Sequence, residues 1–398
     1  MKNFKEQLSN SKFVFGLGCI IHIILGQLNF GFWDWKVIWV AADFISSGHT
    51  YYELGYPPYN TGPYFHPPYQ MPYFIYFLSI FSHVGSQRLA RASMTLIFIG
   101  TGRFLVDQSE SEFKSRVAIL YMFNPFSLYI SYFGFFDIVP TALILIGISK
   151  AGKGKSGMSG FILGIGIMTK VHVLSVYYVI FCIFFLNQQM KAVIKSGIGA
   201  ALAILPFSLY FYSLNPKAFS LRAGVYHLRR DDSSLSFLTT WITLSTENDE
   251  RFVAFLILYL VLILFFSVRF FKALYTNLYL AALIATTIFL ISTPILYPHY
   301  LIWTLILIFI LFYEETNKGS DKKLTLTSQF SLTTTFLITG LYSLGALIWG
   351  SGVLIKNSDM VKFSQYIASL IILITNAFIL VICFNLCVQM EFDQPENL

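Results

Sequence analysis

Residues 363–387 carry no charged side chain, and the same is true of residues 13–32, 252–268, 278–296 and 331–350. Each run approaches or exceeds the roughly 17–25 residues that a helix needs to cross ~30 Å of hydrocarbon. Lipid offers the backbone no hydrogen-bonding partner, so such runs must pair their own N–H and C=O groups as helices. Shorter apolar runs at 136–149, 157–169 and 299–313 alternate with polar loops and read as further helices. Charged residues make up only 12% of the chain, against about 25% in a soluble domain, which points the same way. The expected fold is all-α: a polytopic transmembrane helix bundle forming a single domain over 1–398, since no internal repeat or low-complexity linker interrupts it.

The first run follows Lys2, Lys5 and Lys12 but lacks a small-residue cleavage site, so it reads as a retained helix and not as a signal peptide. Cys19, Cys182, Cys383 and Cys387 all fall within apolar runs and read as small hydrophobes. The net charge of +7 reports topology, with no nucleic-acid partner expected. Fifteen of the 27 Lys and Arg residues lie in the N-terminal tail or in the loops at Lys114/Arg116, Lys150/Lys153/Lys155, Lys191/Lys195, Arg269/Lys272 and Lys318/Lys322/Lys323. These loops alternate, every second one, as the positive-inside rule requires, which puts the N-terminus in the cytoplasm.

That alternation leaves one crossing to be made between Asp34, outside, and Lys114, inside, where two apolar runs stand at 70–84 and 89–106. The first is short, follows Pro67-Pro68 and contains Pro72, so it is expected to be interfacial or re-entrant. The count is then about twelve spans with both ends inside. Were both runs to cross, Asp137 would face the cytoplasm. The outer loops are 33–69, 132–137, the turn near Lys170, 213–250, 292–300 and 351–362. The first holds Trp33, Trp35, Trp39 and, with the residues just after it, eight tyrosines between Tyr51 and Tyr76. Aromatic rings favour the headgroup level. Residues 34–47 have apolar positions at helical spacing and are expected to carry an interfacial helix.

Candidate chemistry gathers on these outer loops. Asp34, at the outer end of the first helix, is either a boundary residue capping the next helix or a carboxylate placed to act as general base on a hydroxyl. Arg222, Arg229 and Arg230, with Tyr226, would share one face of a short helix, and arginine grips phosphate oxygens in a fork. Their alternative is contact with lipid headgroups. Asp137 beside a membrane helix is costly unless it faces a polar cavity; its alternative is an N-cap for the helix that follows. Lys170 can snorkel to the interface or meet a phosphate. His66 and His299 read first as interface residues, and no ligand spacing accompanies them, so no metal site is expected.

Taken in order, these segments resemble the GT-C superfamily of polytopic glycosyltransferases. The likeness is to the phosphatidylinositol-glycan mannosyltransferase I type and to bacterial polyprenyl-phosphate-mannose-dependent mannosyltransferases. It is carried by Asp34-Trp35-Lys36 through Ala41-Ala42-Asp43-Phe44 to Gly48 and Tyr51-Tyr52, and by Tyr64-Phe65-His66-Pro67-Pro68. Further along come Asn124-Pro125-Phe126 with Gly134-Phe135-Phe136-Asp137, Gly164 to Lys170, and Pro298-His299-Tyr300-Leu301-Ile302-Trp303. The order and spacing hold over about residues 30–305. The resemblance implies an inverting transferase that moves a sugar, mannose first, from a polyprenyl-phosphate carrier to a lipid-linked or glycan acceptor on the non-cytoplasmic face. It implies Asp34 as the acid/base residue; Arg222, Arg229, Arg230, Asp137, Lys170, His66 and His299 stand beside it as substrate-binding candidates from their own chemistry and placement. Where the mannosyltransferase I type has Asp-x-Asp, this chain reads Phe32-Trp33-Asp34, which leaves the acceptor open and gives a divalent cation no support; no cofactor is expected. A secondary transporter or lipid flippase is the rival reading. Such proteins place charges near the midplane on broken helices, whereas the candidates here sit at helix ends.

Overall fold

The computed structural model describes residues 10–28, 33–49, 72–109, 114–134, 136–214, 216, 236, 240, 250–293, 296–313, 332–355 and 358–392. Among the described residues the regular structure is helical. In chain order the helices are α1 (Ser11–Gly26), α2 (Trp33–Ser46), α3 (Pro72–His83), α4 (Gln87–Gln108), α5 (Lys114–Phe123), α6 (Pro125–Phe133), α7 (Ile138–Gly152) and α8 (Ser156–Ile167). They continue with α9 (Val173–Leu186), α10 (Met190–Leu214), α11 (Glu250–Arg269), α12 (Phe271–Thr276), α13 (Leu278–Ser292), a 3-10 turn at Pro298–Leu301, α14 (Ile302–Tyr313), α15 (Leu332–Ile355) and α16 (Ser358–Phe392). Four of them, Gln87–Gln108, Met190–Leu214, Thr333–Ser351 and Asp359–Phe392, are long and apolar enough to cross a membrane, and several shorter apolar helices accompany them.

The helices sort into two compact units: residues 1–107, 114–174 and 194–227 in one, and 108–113, 175–193 and 228–398 in the other. In the first unit, α1 packs on α5 and α6, α2 on α3, and α7 on α8. Helix α1 stops at Gly26, before its apolar run ends. A tertiary contact meets it there: the Gly26 carbonyl accepts from Arg91 Nε at 3.0 Å, so a terminal group that continued helix would have used is satisfied from the side. His22, fully buried in α1, bonds Met122 O at 2.7 Å through Nε2 and Ser131 Oγ at 2.6 Å through Nδ1. A carbonyl only accepts, so Nε2 carries the proton and the Ser131 hydroxyl donates to Nδ1. One buried imidazole thereby ties α1 to the ends of α5 and α6.

The first-unit segment of α10, residues 194–214, meets α8 at backbone contact. Gly157, Gly160 and Gly164 on α8 face Ser196, Gly199, Ala200 and Ala203. A Cβ on Gly160 would overlap the Ser196 carbonyl oxygen, and one on Gly199 would overlap that of Gly157. Small residues let helices approach this closely in lipid, where van der Waals packing and not water exclusion holds them together. Gly160→Leu is therefore expected to lose most of the monodisperse protein recovered in detergent, since overpacking costs ~1–3 kcal/mol even where side chains can yield and here the obstacle is backbone. Gly16→Leu, on an exposed face with nothing within 4 Å, is the control that should extract normally.

In the second unit, α13 is apolar all round and almost every residue is buried, which makes it the central helix of that unit. Helices α11, α12, α14 and α16 pack on it. Tyr342 on α15 donates to Asn376 Oδ1 on α16 at 2.6 Å and lies 3.3 Å from Thr304 Oγ1 on α14, so one buried polar chain joins three helices.

Candidate active site

The first unit brings together two of the segments that carry candidate residues. Trp35 of α2, Phe74 of α3 and Phe136 of the turn before α7 belong to one buried core cluster, and the Phe74 and Phe136 rings stack at 4.5 Å. Asp34 precedes Trp35 in the first turn of α2, and Asp137 follows Phe136. The Asp34 side chain lies outside the described residues, as do Arg222, Arg229, Arg230 and His66.

Asp137 is placed by the sequence Gly134-Phe135-Phe136-Asp137. Helix α6 begins at Pro125 with Asn124 as its N-cap and ends on Gly134, whose φ of 73° is the left-handed conformation that glycine adopts without strain. The chain then turns and α7 starts at Ile138. Asp137 stands at the N-cap position, yet its side chain makes no capping bond. Its Oδ1 instead accepts from Lys170 Nζ at 2.5 Å, with Asp137 wholly buried and the Lys170 side chain 13% exposed. The ammonium also lies 4.9 Å from the centre of the Phe136 ring. Lys170 thus does not snorkel outward; it turns inward onto a carboxylate. Taking two charges out of water costs several kcal/mol each, so a pair of this kind is weak evidence of stabilisation and better evidence of a role.

Lys170 sits in the turn between α8 and α9, where its N–H donates to Gly166 O at 2.8 Å. Two residues on, His172 is 1% exposed. Burial first, and the Lys170 charge second, push its pKa well below the ordinary imidazole value, so the ring is neutral at physiological pH. Sequence reasoning passed over His172 although it lies in the same turn as Lys170. A histidine two positions from a candidate cation was the signal. Its ring lets the ammonium stand in the turn without adding a second positive charge.

His299 belongs to the second unit. It lies in the 3-10 turn, 7% exposed, stacked on Tyr297 at 5.7 Å and edge-on to Tyr300 at 4.7 Å. Tyr300 in turn stacks on Trp303 at 4.6 Å. The imidazole is thus packed within an aromatic group.

The family described as Mannosyltransferase (PIG-M) matches residues 130–384, well over half of the chain. The chain belongs to the PIG-M mannosyltransferase family. No curated protein matches it. This PIG-M-type mannosyltransferase is accordingly a glycosyltransferase of the membrane, with a sugar donor and an acceptor as its substrates. The matched span takes in Asp137, Lys170, His172 and His299, together with the arginines at 222, 229 and 230. Asp34 and His66 lie N-terminal to it.

Proposed function

We propose that this mannosyltransferase takes mannose from a polyprenyl phosphate carrier and transfers it, with inversion, to a lipid-linked or glycan acceptor on the non-cytoplasmic face. The observation that carries this reading is the buried Asp137–Lys170 pair at a helix-end turn. A mannosyl-phosphoryl-polyprenol carries one negative charge on its phosphodiester. As the anomeric C–O bond breaks, its electron pair goes to the phosphate oxygen and the leaving polyprenyl phosphate gains a second charge. A cation beside that phosphate stabilises the transition state more than the ground state, which is what accelerates a chemical step. Lys170 supplies one such cation, with Arg222, Arg229 and Arg230 as further grips and Asp137 orienting the ammonium. His66 and His299 stand as contacts to the rest of the substrates.

The acceptor hydroxyl attacks the anomeric carbon from the face opposite the leaving phosphate, and its proton passes to the Asp34 carboxylate. Phosphate is a good leaving group and needs no general acid, so one carboxylate suffices where a typical glycosidase uses two. In this reading the chain crosses about twelve times as one functional domain with both ends in the cytoplasm.

The test is donor choice in sealed, oriented proteoliposomes. Tritiated mannosyl-phosphoryl-polyprenol should label extracted glycolipid acceptors, whereas a nucleotide-linked mannose should not. Labelling from the nucleotide sugar, or uptake of the lipid without transfer, would overturn the reading.

A further inference from the structure

We propose that Arg91 is a positioning residue for this reaction, holding the Asp34 segment and the Asp137 turn at one fixed separation; this rests on the roles given above to those two carboxylates. Arg91 lies in the first part of α4 and is 1% exposed. No step of the transfer uses it, and a buried guanidinium among membrane helices is expensive enough to need a reason.

Its contacts supply one. Nε donates to Gly26 O at 3.0 Å at the end of α1. Nη2 donates to Ser131 O and Tyr132 O, both at 2.9 Å, at the end of α6. Nη1 occupies the space where a Cβ on Gly134 would stand, so the left-handed turn that leads to Asp137 is built directly on the guanidinium. On its other side the guanidinium carbon lies 5.1 Å from the centre of the Trp35 ring. One helical turn earlier on α4, Gln87 Oε1 accepts from Trp35 Nε1 at 3.2 Å. Gln87 and Arg91 therefore seat one indole between them, and that indole is the residue after Asp34. Asp137 is the third residue after Gly134. The backbone on which each carboxylate stands is thus held by the same side chain.

The arrangement needs arginine and not merely positive charge. A planar fork reaches three carbonyls and presents a flat face to the indole, whereas a lysine ammonium is a point charge that cannot do both. Misplacing reacting groups by ~1 Å costs about 100-fold in rate. Arg91→Lys is therefore expected to lower kcat about 10- to 100-fold with labelled mannosyl-phosphoryl-polyprenol, while the donor KM stays within about threefold. Turnover is counted per folded molecule, measured from the monodisperse fraction. A merely structural role would reduce that fraction and leave kcat of the remainder unchanged, which would overturn the proposal. A raised donor KM at unchanged kcat would also overturn it, because Arg91 would then be a substrate contact.

Should Arg91→Lys not fold, Gln87→Ala removes only the indole bond, and it is expected to lower kcat about threefold or more at normal yield. Unchanged kcat there counts against the proposal. Arg103→Lys, on the exposed face of the same helix, is the control expected to match wild type. Asp34→Asn run alongside separates the two layers. If it keeps full activity, the catalytic reading has failed; if it is inactive and both α4 variants are normal, only the positioning role has.

Discussion

Lys170→Met is expected to destabilise the protein by about 3–5 kcal/mol, the range seen when one partner of a buried ion pair is removed, and to reduce transfer sharply. Asp137 is wholly buried, and the substitution takes away the ammonium 2.5 Å from its Oδ1. The carboxylate then keeps its desolvation cost and loses its counter-charge. Protonation limits the loss, since a carboxyl in an apolar site can take up a proton instead of staying ionised. The companion variant decides what the pair is for. Asp137→Leu combined with Lys170→Met removes both charges, and replacing a buried pair by apolar residues is commonly neutral or stabilising by about 1–4 kcal/mol. Thermal unfolding in detergent should therefore show a lowered midpoint for the single variant and recovery in the double, while the double stays inactive. Recovery of activity along with stability would mean that Lys170 is structural and that phosphate is held elsewhere.

Much of the fold was legible because lipid enforces a simple rule. Each of the five long uncharged runs is occupied by a helix, and the shorter runs at 136–149, 157–169 and 299–313 hold α7, α8 and α14. The ends differ where tertiary contacts intervene. Helix α1 stops at Gly26 because Arg91 takes its carbonyl, and α16 extends to Phe392, beyond its uncharged run, where Arg269 Nη1 donates to Glu391 Oε2 at 2.7 Å. The aromatic segment at 34–47 gives α2, as its spacing suggested.

The site was harder to read, for physical reasons. Asp137 was legible as a costly charge beside a membrane helix and Lys170 as a lysine at a helix end, but not as a pair, because the 32 residues between them carry no trace of which turns meet. Capping and snorkelling are the local options for an acid and a lysine at helix ends, and in this protein the tertiary contact outcompetes both. Arg91 was hidden differently. It falls inside a run, 89–106, that reads as a single apolar helix, where Arg91 and Arg103 are outvoted by their apolar neighbours. Only the fold shows that Gly26, Ser131, Tyr132 and Trp35 converge on it. His22 was masked in the same way.

The most direct measurement is transfer by Asp34→Asn, with amount of folded protein and donor KM determined on the same preparation. The asparagine side chain matches the carboxylate in size but cannot take a proton, so a general base should be lost without disturbing the helix. General-base help is worth about 10²–10⁴ in rate, and kcat should fall by that factor while folded yield and donor KM hold. Wild-type turnover by this variant would contradict the account, since no carboxylate at position 34 would then be needed to activate the acceptor.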